Sequence, residues 1–445
     1  MPITKVLHLL RPPPDKQYSS TLPGLWKYPS FRDEALKSGS LWLKGKKADD
    51  GAEGLWRIRD DLYDFSSWIH THPGGSDWLE LTKGTDITEA FEAHHISFLA
   101  ERLLPNFHVR PATTKRNSPY TFEPDGFYRT LKSRVREALK GQVTGPTRRS
   151  IVSADALLTG SLATAIMAGA MWSYSLGALS GFLLTLTVIS AHNFFHQKDN
   201  LRMYYFDLSF MSSREWRISH ALSHHLYPNS LLDLEISMWE PILQWLPRPD
   251  KSLLSRYGPL VYSPILYATM FPVQLLIRIT LYLKGHMKGP RKEDFIPLIY
   301  PLVIYSYGVC SVRESIIMWL WIITVASFCF GCIGLNAAHH HPEIFHDGDA
   351  PRANLDWGVQ QLDAVRDRPI VSRFNFLALV TFGHHGLHHL FPTIDHGKLD
   401  KLNGILEKTC NEFNVPYRPS SVIELIKGQF QQCARIKPNL VPPGQ

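Results

Sequence analysis

The sequence predicts a small α+β domain followed by an all-α membrane domain with four transmembrane helices and a cytosolic cap built from histidines. Three observations carry this reading. Apolar residues concentrate between about 154 and 336, and the charged residues lie mainly outside that stretch. More than half of the 21 histidines fall in four short clusters between 192 and 389. Residues 23–115 hold short strand-like runs around a His-Pro-Gly-Gly turn.

The chain has 445 residues, enough for two or three domains. Its formal net charge is +7. Such an excess suits nucleic acid or anionic lipid. Here the basic residues sit beside apolar stretches, so the expected partner is a membrane surface and no nucleic acid. The segment Met1–Lys27 is proline-rich and polar, without the apolar core of a secretory signal. The five cysteines, at 310, 329, 332, 410 and 433, form no disulfide framework, which suits a reducing compartment.

In chain order, residues 1–22 read as a disordered lead-in and 23–115 as the α+β domain. Ser40–Leu43 and Leu55–Arg59 read as strands, the polar run 44–54 as a surface loop, and the residues after His72–Gly75 as helical. A charged linker follows over 116–153. The membrane domain covers 154–400, and 401–445 forms a C-terminal cytosolic segment. Ala154–Tyr174 and Leu176–His192 are each near the ~20 residues a bilayer requires. Phe295–Val309 and Ser315–Leu335 form a second hairpin. Pro259–Leu283 is apolar too, but it carries Arg278 and several prolines. Histidine clusters that share a site must lie on one membrane face, so an even number of crossings separates them. The basic loop 284–292 should stay cytosolic. Pro259–Leu283 is therefore expected to start and end in the cytosol, leaving four spans with both termini and every histidine cluster cytosolic.

The run Tyr63-Asp64-Phe65, then His72-Pro73-Gly74-Gly75, then Phe91-Glu92-Ala93-His94-His95, resembles the cytochrome b5 family. The physical reading is bis-histidine ligation of haem b across an apolar crevice, with one ligand on a turn and the other on a helix. His72 matches the first ligand. The second is His95, with His94 as the alternative. With both axial positions filled, such a haem passes single electrons and does not bind oxygen.

His192-Asn-Phe-Phe-His196 closes the second apolar span, and i and i+4 share one helix face. His220-Ala-Leu-Ser-His224-His225 repeats the device with a third imidazole on a neighbouring direction. His385-Gly-Leu-His388-His389 follows the same logic. Nine imidazoles, the eight of these boxes and one from 339–341, are too many for one ion and right for two. The boxes resemble those of the membrane fatty acid desaturase and hydroxylase superfamily, over about 154–400. The extra His339–His341 run and His388-His389-Leu-Phe-Pro look closest to the insect cytochrome b5-related proteins. The resemblance implies a further ligand after an asparagine at the end of the last span. That asparagine is Asn336, which could hold a metal-bound water, and the ligand is His339, with His340 as the alternative. Asp233 and Glu235 could hydrogen-bond the free nitrogen of a ligating imidazole. His346 and His384 read as surface or supporting residues. Trp216 and Trp357 resemble positions near the family's active-site walls, with core packing as the leading reading.

The resemblance implies two non-haem irons, O2 as co-substrate, a lipid acyl chain as substrate, and NADH–cytochrome b5 reductase as electron source. It implies a multi-pass protein of the endoplasmic reticulum membrane. The boxes do not separate desaturation from hydroxylation. A relic whose haem serves electron transfer alone is a third reading.

Overall fold

The computed structural model describes residues 19–143, 145–335 and 338–445. The lead-in through Tyr18 and the position Asn336 lie outside the described residues. Ser20 and Thr21 do not form a loose lead-in: both bind the carboxylate of Asp347, and Leu22 is buried.

The N-terminal domain has a three-stranded antiparallel sheet in the order β1 (Trp56–Ile58), β2 (Asp61–Tyr63), β3 (His108–Pro111). Helix α1 (Gly39–Asp49) precedes it, and α2 (Ser76–Thr82) and α3 (Thr88–His94) follow β2. The strand expected at Ser40–Leu43 and the loop expected at 44–54 are therefore largely one helix. Local capping overrides the strand-like Leu-Trp-Leu pattern. The Ser38 hydroxyl accepts from Leu41 N–H, and Lys46 pairs with Asp50 one turn on at 2.9 Å. Trp42 is held across the domain boundary by an indole hydrogen bond to the Leu232 carbonyl at 2.8 Å.

The expected linker is structured as well. It contains α4 (Phe127–Ala138), whose buried face is Phe127, Tyr128, Leu131 and Val135. That spacing is one helical stripe, and the Asp356 carboxylate accepts from Tyr128 N–H at the helix start.

Among the described residues, four helices are long and apolar enough to cross a membrane. They are α5 (Arg148–Ala170), α6 (Tyr174–Phe195), α7 (Pro259–Leu283) and a later helix over Val312–Gly334. This set differs from the expected one in a single member. Phe295–Val309 does not form one long helix. Lys292–Leu298 is a 3-10 stretch and α8 (Ile299–Tyr307) has nine residues. Pro297, which lacks a backbone donor, sits within the 3-10 stretch, and α8 ends at its cap residue, Gly308. The long helix that follows is α9 (Val312–Gly334).

Helix α7 is long enough to cross, yet both its ends touch the histidine-bearing side. Just before its start, Arg256 Nε donates to the carbonyl of Ala434, the last residue of α10 (Val422–Ala434), at 3.1 Å. Beyond its end, the His286 carbonyl accepts from Ser40 Oγ of α1 at 3.2 Å. Pro272 loosens its middle. There the α9 hydroxyl of Ser327 accepts from Phe271 N–H at 3.0 Å and donates to the Tyr267 carbonyl at 2.6 Å, satisfying both ends of an opened turn.

The remaining membrane packing uses small residues. A Cβ at Gly181 of α6 would sit 2.7 Å from the Ile322 carbonyl of α9. Ser161 of α5 bonds the Tyr300 hydroxyl of α8 at 2.5 Å.

Candidate metal centre and haem crevice

All nine histidines singled out from the sequence, with His339 taken at the 339–341 run, meet in one buried cluster on the cap side of α6 and α9. They divide into two groups. His192, His196, His220, His225 and His388 form the first, and His224, His339 and His389 form the second. His385 joins the second, with its Nε2 2.6 Å from that of His339. His340 is outside both groups and stacks on Trp245 at 3.9 Å between ring centres.

Local backbone geometry produces the division. His192 and His196 lie one turn apart at the end of α6, with Nε2 atoms 3.1 Å apart. The second box is a π-helix, Arg217–His224, in which His225 N–H reaches back five residues to the His220 carbonyl at 2.8 Å. This wider turn brings His220 and His225 to one side, Nε2 to Nε2 3.0 Å, and sends His224 to His339, also at 3.0 Å. In the short helix His385–Leu390, His385 and His389 face one group and His388 the other, 3.0 Å from His192.

The outward nitrogens fix what the inward ones carry. Nδ1 of His220 meets Glu235 and Nδ1 of His224 meets Asp233, both at 2.9 Å. Nδ1 of His339 donates to the Ala364 carbonyl at 3.0 Å, and that of His389 meets Gln361 Oε1 at 3.1 Å. Carboxylates and carbonyls only accept, so these Nδ1 atoms carry the protons and each Nε2 presents a lone pair. Nε2 of His224 and Nε2 of His339 lie 3.0 Å apart, a spacing at which the two share one cation, a proton or a metal ion. Burial keeps His196, His225, His339, His388 and His389 neutral by lowering their pKa values well below 6.5. His224 is the exception: burial lowers it, but the carboxylates of Asp233 and Glu235 prevail and raise it to about 9. Neutral, oriented imidazoles are the donor set a transition metal takes.

Other residues complete the walls. Trp216 does not serve as remote core: it stacks on His220 at 4.8 Å and 16°. Trp357 is core, fully buried, with its indole donating to the Leu226 carbonyl. His346 and His384 are buried, not on the surface. His396 escaped the sequence reading. It is buried 4.5 Å from His388 between ring centres, and its Nδ1 meets Asn193 Oδ1 at 2.9 Å. A single histidine seven residues beyond a box carries no spacing signature.

A cavity of about 100 Å³ opens against His220, His224, His339 and His385, with Met270, Trp239 and Phe330 on its apolar side. It shares Met211, Trp216, Ser219, Met238 and Gln274 with a second cavity that reaches Lys37, Gly39, Arg278 and Met287. The two adjoin between the α1–α7 boundary and the histidines.

In the N-terminal domain, His72 and His95 face each other with ring centres 6.2 Å apart. Two imidazoles sharing one metal ion at about 2 Å from each nitrogen place their ring centres roughly 6 Å apart. His72 Nδ1 meets the Gly75 carbonyl at 2.9 Å and His95 Nδ1 the Phe91 carbonyl at 3.0 Å, so both Nε2 atoms are free to ligate. His94 instead turns its ring to Trp78, 5.3 Å away. The residues present fit a bis-histidine haem.

The family model for fatty acid desaturases matches residues 101–421. The chain belongs to the fatty acid desaturase family. A second model, the cytochrome b5-like haem/steroid binding domain, matches residues 43–112. This desaturase-family chain is 46% identical to a cytochrome b5-related protein of Drosophila melanogaster, over 94% of this chain and 96% of that one. It is 24% identical to an acyl-lipid (8-3)-desaturase of Mortierella alpina and 25% to a probable Delta(5) fatty acid desaturase of Dictyostelium discoideum. Each of these matches covers 84% of this chain and 90% of the relative.

Proposed function

We propose that this protein desaturates a fatty acyl chain, using O2 at a di-iron centre held by nine histidines and electrons from its own haem. The observation that carries the reading is the convergence of those nine buried imidazoles into groups of five and four, beside a bis-histidine crevice in the same chain. The first group would hold one iron and the second the other, with Asp233, Glu235, Gln361 and the Ala364 carbonyl orienting the ligands. When bound, the irons supply the oxygen chemistry that removes hydrogen from an unactivated C–H bond.

The protein supplies position. The adjoining cavities lined by Met211, Met238 and Met270 would admit a flexible chain. Trp216 and Phe330 wall the histidines on the apolar side. His72 and His95 would hold haem b in a form that exchanges electrons without binding oxygen. NADH–cytochrome b5 reductase would recharge it. The cap, with both termini, lies on the cytosolic face of the endoplasmic reticulum membrane in this reading, and α7 returns to the side it leaves.

Iron analysis tests the proposal. Purified full-length protein should carry about two non-haem irons per chain besides one haem. Haem with no other iron would leave only an electron-transfer role. Lipid profiles after gene loss should lack an unsaturated acyl species. Loss of a hydroxylated lipid instead would assign hydroxylation.

A further inference from the structure

Trp78 stands between the haem crevice and the histidine cluster. Trp78 lies on α2, directly after the turn that carries His72, and packs against the hydrophobic cores of both domains. On one side its ring meets His94, 5.3 Å between centres, and His94 is bonded to His95 through a single peptide. The Nε2 of His94 is buried without a hydrogen-bond partner among the described residues. On the other side the face of Trp78 carries the Arg217 guanidinium at 4.7 Å. Arg217 is fully buried and donates to the Phe195 carbonyl at 3.1 Å, which belongs to the peptide that joins Phe195 to His196.

The contact is rigid. Arg217 also pairs with Asp199 at 2.6 Å, and Asp199 sits under Gly75 of the haem turn. A Cβ at Gly75 would lie 2.5 Å from that carboxylate, so only glycine permits this approach. Arg32 adds a two-pronged pair to Glu240, at 2.9 and 3.2 Å, in the same interface. Separating the domains would break the Arg32–Glu240 pair, both of whose side chains are largely buried.

We propose that Trp78, with His94 beside it, is the route by which electrons leave the haem for the histidine-bound metals, and that the haem domain is a fixed, not a diffusing, donor. The inference rests on the di-iron reading above. Each transfer oxidises the haem iron from ferrous to ferric and reduces one cluster iron from ferric to ferrous. No bond or proton moves. NADH, through the reductase, restores the ferrous haem before the second transfer. Trp78 contributes a polarisable ring between His94 and the Arg217 guanidinium, which reaches on to the Phe195 carbonyl.

The test is flash photoreduction of the haem in full-length protein loaded with haem and iron, with reoxidation followed by haem absorbance and no lipid substrate present. Trp78→Leu should slow reoxidation about tenfold or more, and Trp78→Phe should restore it to near the wild-type rate. Haem midpoint potential, low-spin haem spectrum and iron content should be unchanged in both variants, which a merely structural role would not preserve. Wild-type speed in Trp78→Leu overturns the route, as does equal slowing in both variants. If the wild-type haem is not reoxidised with the irons in place, the electron-donor reading falls and this inference with it.

Discussion

Asp233 does two things with one carboxylate. It accepts from Glu235 N–H at the start of a short helix and from His224 Nδ1, so the helix start and the imidazole orientation are set together. Asp233→Asn keeps the shape and removes the charge that raises His224. Supporting carboxylates of this kind change metal affinity by about 10–100-fold. Iron should therefore leave Asp233→Asn more readily in a chelator competition, while the haem spectrum stays as in the wild type. His388 belongs to the group of five and His72 to the haem crevice, with no shared contacts. His388→Ala should lower non-haem iron and keep the haem absorbance, and His72→Ala should do the reverse. Loss of both centres from either change in a folded protein would sink the two-site reading.

Among the elements, the π-helix over Arg217–His224 matters most. In an ordinary α-helix His220 and His224 share one face. The extra residue in the turn makes His220 and His225 the pair instead, which is how one segment reaches both metal groups. Such insertions concentrate at functional sites. The box was legible in the sequence because ligand type and spacing are local. The π register was not, because a single backbone bond decides it and side-chain pattern does not. The long apolar helices were legible from their length. The start of helix α1, Ser40–Leu43, reads as a strand because its residues alternate like one, and the cap at Ser38 that overrides them is one side chain. His396 and the supporting Gln361 were invisible, since each acquires its role from tertiary contact alone. Helix α1 also abuts the π-helix through Gly39, where a Cβ would sit 2.8 Å from Ile218 Cβ. Gly39→Ala should cost about 1–3 kcal/mol by overpacking. The melting temperature of Gly39→Ala should fall in a thermal scan.

At the scale of the whole molecule, α4 clamps the haem domain to the cap. Tyr128 OH donates between the carbonyls of Glu92 at 3.1 Å and Leu390 at 3.3 Å, joining the segments that carry His95 and His389. Glu92 is fully buried beneath Arg59, Arg129 and Lys132. Burial raises its pKa, but these cations prevail and hold it at about 2, against 4.5 when unfolded. A depressed carboxylate stabilises above its unfolded value and loses that contribution as pH falls through the folded one. The contribution of Glu92 to thermal stability should thus be steady above pH 4.5 and decline from there toward about 2, and Glu92→Gln should remove that part of the acid decline. Topology is testable on the same scale. Because α7 begins against α10 and the loop after it touches α1, Met287→Cys should react with an impermeant maleimide from the side on which the C-terminus is cleaved by protease. Labelling from the opposite side would make α7 a crossing helix.

The Tyr128 clamp has a kinetic meaning. A donor that must diffuse to its acceptor slows as the solution is diluted, whereas one tethered in place works at a constant effective concentration. Turnover per chain should then be independent of how much protein is present. The concentration that governs the rate would be that of the reductase, which must visit the same haem twice for every pair of electrons delivered.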